Sequence, residues 1–136
     1  MHRTLQPEGW VQPLGYANGV LAEGRQIYVG GQIGWNAQSE FESDDLVDQI
    51  RQSLRNVAAV LKAGGAEPRH LTSMTWYFID KREYLARLKE IGGVYREVIG
   101  RSYPAMAAMQ VSALMEDRAK VEIQAIAVIP TSDRLE

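Results

Sequence analysis

The chain has 136 residues, of which 46% are hydrophobic and 24% charged, with a net charge of −2. That length and balance fit one soluble globular domain over residues 1–136, with a core large enough to need no covalent staple. The small net charge argues against nucleic acid or an anionic membrane as partner, and the lack of cysteine excludes disulfides, thiol nucleophiles and thiolate metal sites.

The N-terminus from Met1 to Pro7 is polar and has no apolar leader segment. No apolar run approaches the roughly 20 residues that span a bilayer. With no cysteine to oxidise, the chain reads as cytoplasmic. Residues 1–14 hold Pro7 and Pro13 and few periodic signals, so they read as an irregular lead-in. Gly19 to Ala22 and Gln26 to Ile33 are apolar runs joined by Glu23-Gly24, the pattern of a β-hairpin. Gly34 to Ser43 is polar around one tryptophan and reads as a loop.

A first helix is expected over Asp44 to Ala63, with Ser43 as N-cap and Asp44 and Asp45 favoured by the helix dipole. Leu46, Ile50, Leu54, Val57 and Leu61 recur at spacings of three and four, which aligns them on one face. Gly64-Gly65 supplies the stop. Thr72 to Ile79, rich in β-branched and aromatic residues, reads as a strand. Asp80 with Glu83 has the capping-box pattern and opens a second helix with the stripe Tyr84, Leu88, Ile91, Tyr95 and Val98, ended by Gly100. Ala105 to Val111 and Lys120 to Ile129 are the last two strands, and residues 130–136 read as a frayed tail.

The order is ββαβαββ, an α+β fold in which two amphipathic helices pack on one face of a mixed sheet. Alternation along the fourth strand puts Ala105, Ala107, Met109 and Val111 on one side and Met106 and Ala108 on the other. The third strand likewise shows Met74, Trp76 and Phe78 against Tyr77 and Ile79. Strands apolar on both sides imply that the face without helices is covered by another copy of the chain.

Few residues offer chemistry. His2 and His70 lack a spaced Asp, Glu or His partner, so no metal site is expected. No serine sits in a nucleophile-elbow pattern. Val29-Gly30-Gly31-Gln32 places two glycines inside a strand, which marks either a packing bulge or a place where a ligand approaches freed backbone groups. Glu122 lies mid-strand, where it is either a solvated charge or a carboxylate at an apolar interface suited to general acid/base work. Tyr16 offers a pocket hydroxyl or a packing ring, and Trp35 a ligand lid or a loop anchor.

Four stretches together resemble the RidA/YjgF family, known for enamine and imine deaminases, over roughly Gly15 to Val128. Gly15-Tyr16-Ala17-Asn18-Gly19-Val20 resembles its Pro-Tyr-x-x-Gly segment, and Val29 to Ile33 its Ser-Gly-Gln-Ile strand. Gln49 to Asn56, with Leu61 to Gly65, resembles its first helix. Pro104-Ala105 and Lys120 to Ala127 resemble its last two strands. The resemblance implies a chorismate-mutase-like homotrimer with a barrel-like core, small-molecule pockets between subunits, and no cofactor. The implied reaction is hydrolysis of a 2-iminoacid or its enamine to a 2-ketoacid and ammonia. Carried over by position, Glu122 matches the water-activating glutamate, Tyr16 the pocket tyrosine and Gly31 a backbone contact.

The match fails at one telling place. The family's Pro-Ala-Arg-Ser arginine, which pairs with the substrate carboxylate, is Met106 here, in Pro104-Ala105-Met106-Ala107. The family's serine before Gly-Gln is Gly30, and the cysteine common after the arginine is Ala108. Methionine supplies neither the charge nor the fork geometry of a buried arginine–carboxylate pair. Arg25, Arg101 and Arg118 are the candidates to replace it. The sequence therefore points to a RidA-like hydrolase that uses Glu122 and an apolar pocket of Tyr16, Gly30, Gly31, Trp35, Met106 and Ala108. Its substrate is expected to be other than a small free 2-iminoacid. The alternative is a non-catalytic ligand-binding or chaperone-like trimer. A ribonuclease finds no basic stripe or histidine pair to support it.

Overall fold

The structure is a computed structural model and describes residues 2–131. In chain order it has β1 (Arg3–Leu5), β2 (Gly19–Leu21), β3 (Gly24–Ile33), α1 (Leu46–Ala63), a 3-10 turn (Pro68–His70), β4 (Leu71–Phe78), α2 (Lys81–Ala86), α3 (Leu88–Val98), β5 (Ala105–Gln110) and β6 (Val121–Pro130). The main sheet runs β3-β6-β4-β5, with β4 and β5 parallel and the other pairs antiparallel. The expected mixed sheet with helices on one face is thus present. Among the described residues no helix is long and apolar enough to cross a membrane.

The hairpin read at Glu23-Gly24 does not form. β2 pairs with β1 instead, so part of the supposed irregular lead-in is a strand, and β3 pairs with β6 from the far end of the chain. Gly24 has φ +149°, and a Cβ there would stand 2.0 Å from the Ile129 carbonyl oxygen. The glycine serves a close approach to β6 rather than a tight turn. Pro130, read as the start of a frayed tail, pairs with Gly24 at the end of β6. Residues 132–136 of that tail, and Met1 of the lead-in, lie outside the described residues.

α1 buries the stripe read from its spacing: Ile50, Leu54, Val57 and Leu61 are wholly buried and Leu46 nearly so. The N-cap is Asp45 rather than Ser43, and its carboxylate accepts from the Asp48 backbone N–H at 3.1 Å. Ser43 donates its hydroxyl to the Asp48 side chain instead. At the other end the Gly64 N–H closes the last turn on Leu61. Gln49, buried on the same helix, donates to the Ser43 and Arg118 carbonyls and accepts from the Lys120 N–H. It thereby pins the loop before α1 to the loop before β6.

The second helix is interrupted at Arg87, whose φ −123° and ψ 26° leave the helical region. The guanidinium there grips Glu90 through Nε and Nη2 and reaches Asp45 through Nη1 at 2.6 Å, which ties the break to the start of α1. Asp80 caps α2 as read, accepting from the Arg82 and Glu83 N–H groups. Ile91, Val94 and Tyr95 of α3 enter the core, whereas Leu88 at its start is 48% exposed.

Register fixes the two faces of the sheet. Met74 pairs with Met106 and Trp76 with Ala108, toward the helices, where Val121, Ile123, Ala125 and Ala127 are also buried. Tyr77 pairs with both Met109 and Glu122 on the opposite face. That face has no helix over it and leaves Tyr28 68% and Met109 42% exposed.

Candidate functional site

A cavity of about 520 Å³ opens between α2, α3 and the β5 edge. Its floor is Trp76 of β4 with Met106 and Ala108 of β5, and Tyr84, Tyr95 and Tyr103 form its aromatic wall. The lead-in supplies the remaining side. The Ala17 N–H donates to the Pro104 carbonyl at 2.9 Å and Ala17 bridges to Ala105, which lays Leu14 to Tyr16 along the cavity mouth. Tyr95 and Tyr103 stack with centroids 5.4 Å apart, and the Tyr95 hydroxyl donates to the Ser102 carbonyl. Burial pushes the Tyr95 hydroxyl far above its ordinary pKa, with the neighbouring Tyr103 adding to the effect, and burial also raises Tyr84. These two phenols stay neutral at physiological pH, and the wall they build suits an apolar or aromatic body.

The second cluster lies on the other face of the sheet. Val29 pairs with Ala125, but Gln32 pairs with Ile123, so Gly30 and Gly31 occupy a bulge. The Glu122 carboxylate lies against this bulge: a Cβ on Gly31 would stand 1.9 Å from its Oε2. The Gly30 carbonyl accepts from the Gln32 side chain at 3.2 Å. A carboxylate set beside bulged backbone has both an acceptor and nearby peptide groups with which to orient a water.

The structure therefore brings Tyr16, Met106 and Ala108 together in the cavity, and Glu122, Gly30 and Gly31 together on the opposite face. Trp35 joins neither group. It bridges to Phe41 with rings 5.8 Å apart, and its carbonyl accepts from the Asn56 side chain, so within the chain it anchors a loop. Of the arginines considered as replacements, Arg118 is engaged by Asp44 at 2.9 Å and lies over the Phe41 ring. Arg25 lines a separate recess beside Ile129 and Pro130, and Arg101 is not among the residues lining the cavity. His2 contacts the His70 carbonyl, and His70 is buried where its Nδ1 accepts from the Glu67 N–H.

Sequence reasoning did not single out Trp76, Tyr84, Tyr95, Tyr103 or Arg96 for the site. Trp76 and Tyr95 were legible only as core positions. Tyr103 stood in a loop, and Arg96 on the polar side of a helix. One signal was available: Gly92-Gly93 inside α3 weakens a helix and so calls for a local reason.

The family model described as Endoribonuclease L-PSP matches residues 11–129. A RutC family protein of Pyrococcus horikoshii is 33% identical over 128 residues, 93% of this chain and 98% of that protein. The 2-iminobutanoate/2-iminopropanoate deaminase of Capra hircus is 34% identical over 114 residues, covering 83% of this chain and 79% of that one. Among solved structures, YyfB of the Rid protein family from Yersinia pestis superposes with a TM-score of 0.83 at 29% identity, covering 93% of this chain and 98% of its own. TdcF of E. coli, solved with bound serine, has a TM-score of 0.66 at 31% identity, with the same coverages.

Proposed function

Since the chain belongs to the Endoribonuclease L-PSP family, that of the RidA/YjgF proteins, we propose that it hydrolyses the C=N bond of an imine, reached directly or from its enamine tautomer. The observation that carries this reading is the seating of the Glu122 carboxylate on the Gly30-Gly31 bulge. Glu122 accepts a proton from water as the water oxygen bonds to the imine carbon. The C=N electron pair moves to nitrogen, which takes the proton that Glu122 returns; the carbinolamine hydroxyl then gives its proton to that nitrogen as C=O forms, the C–N bond breaks, and ammonia leaves a ketone behind. Water is the only co-reactant.

The working unit is a homotrimer. Glu122 and Met106 stand on opposite faces of one sheet, so a single chain does not place both on one substrate. The uncovered outer face, with Tyr28 and Met109 exposed, supports burial against a second copy. The carboxylate of one copy then meets the cavity of its neighbour, with Tyr16, Met106 and Ala108 against the substrate body. The whole chain acts as one domain, in the cytoplasm.

Met106 sets the substrate. Apolar and half-buried, it offers a small 2-iminoacid no cation on the cavity floor. An aromatic or long apolar imine fits the wall of Trp76, Tyr84, Tyr95 and Tyr103. The test is ammonia release from a panel of imines and enamines by wild type and Glu122→Gln. Release from bulky substrates that collapses in the variant is expected, and equal rates throughout the panel would sink the proposal.

A further inference from the structure

Arg96 is the one charged side chain among the residues lining the cavity. It stands on α3 one turn after Gly92, and long helical side chains lean back over the preceding turn. Gly92 leaves that turn bare: a Cβ there would be 3.3 Å from Arg96 Nη1, so the guanidinium folds over the glycine at the cavity mouth. The carboxylates nearest in sequence are engaged elsewhere. Glu97 is held by Arg51 and Arg55, and Glu90 by Arg87. Arg96 has no ion pair among the described residues. A second donor, on the cavity floor, is also unspent, since the Trp76 indole N–H, on a residue only 2% exposed, has no acceptor among the described residues.

We propose that Arg96 is the anion handle of this cavity, holding the carboxylate of a ligand whose aromatic or long apolar body lies among Trp76, Tyr84, Tyr95 and Tyr103. This deepens the hydrolase reading and rests on it for the identity of the pocket. The guanidinium fork suits a carboxylate in two parallel hydrogen bonds, and its place at the mouth selects a ligand long enough to span from rim to floor. The cation is thus moved from the strand to the helix, and the substrate lengthens with it.

The experiment is calorimetric titration of the full chain with 3-(indol-3-yl)propanoate and its primary amide, probes that carry no C=N bond. Wild type is expected to bind the carboxylate on the order of tenfold or more tightly than the amide. Arg96→Gln, at an exposed helix position, brings the two affinities together, and Arg101→Gln leaves the preference intact. The inference is overturned by equal wild-type affinities, by no binding of either probe, by a preference that survives Arg96→Gln, or by one that Arg101→Gln removes. Ammonia release separates the two proposals. An Arg96-dependent preference without Glu122-dependent turnover leaves the handle and removes the hydrolase, and the converse result does the opposite.

Discussion

Gly31→Ala tests the placement of Glu122 while leaving that residue untouched. The added methyl would stand 1.9 Å from Oε2, 2.7 Å from Cδ and 3.0 Å from Cγ of Glu122. To regain an ordinary contact of 3.4 Å the carboxylate has to retreat by about 1.5 Å. It can do so, because the obstructing atoms are the far end of a flexible side chain. Gly31 is not among the glycines with positive φ, so alanine fits its backbone. The unfolded chain loses freedom, a gain of about 0.4–1 kcal/mol, against a rotamer cost of about 0.5–1.5 kcal/mol. Stability should therefore move by less than about 1 kcal/mol. Catalysis should not be so tolerant, since misplacing a reacting group by about 1 Å costs on the order of 10²-fold. Steady-state ammonia release alongside a thermal melt reads both quantities. An alanine variant with wild-type turnover refutes the reasoning, because it removes the carboxylate's position from the rate. A variant with an unchanged melt and a rate down by about 10² supports it.

Three further outcomes follow from the same structure. Met106→Arg is expected to raise kcat/KM for a small 2-iminoacid by about tenfold to a hundredfold, the worth of a charge-assisted pair, while overpacking costs about 1–3 kcal/mol in denaturant unfolding; unchanged kinetics would show that the missing arginine is not what excludes small substrates. Leu54→Ala, at a wholly buried position of α1, should lose about 2–5 kcal/mol with little change in the denaturant slope, and a loss under about 1 kcal/mol would mean that the helix stripe is not the core. The third concerns Asp45. The hydrogen bond from Arg87 is the largest influence holding its carboxyl below the ordinary 3.8, opposed by burial. A depressed folded value means stability that is present above the unfolded value and lost as pH falls through the folded one. Melts of wild type should therefore drop more steeply below about pH 4 than those of Asp45→Asn, which keeps a capping oxygen; parallel curves would show that the Arg87 contact is not formed.

The parts of the fold that were legible were those set by local periodicity. The α1 stripe, the Asp80 cap and the alternation along β4 and β5 each follow from spacings within a few residues. The misreadings share a different cause. Glu23-Gly24 has the local chemistry of a hairpin, but the partner of β3 is β6, about a hundred residues away, and only that contact explains why Gly24 is needed. Ser43 and Asp45 are both good caps, and the choice fell to Asp45, which also meets Arg87. The break at Arg87 was invisible because the apolar stripe runs through it, and the contacts of its guanidinium with Glu90 and Asp45 at the break include one, to Asp45, that is 42 residues away in sequence.

The site shows the same division more sharply. Alternation along a strand already separates Met106 from Ala107 and Val121 from Glu122, but it does not say which faces look the same way. The register supplies that link: Met106 pairs with Met74 and Glu122 with Tyr77, and residues 74 and 77 differ by an odd number along one strand. Positions 106 and 122 therefore belong to opposite faces of each chain, whatever side chain stands at 106. On the proposed reading, a substrate that touches both lies between copies. On that reading too, Met106 shapes only the cavity half of that composite site and leaves the seat of Glu122 on its glycine bulge untouched.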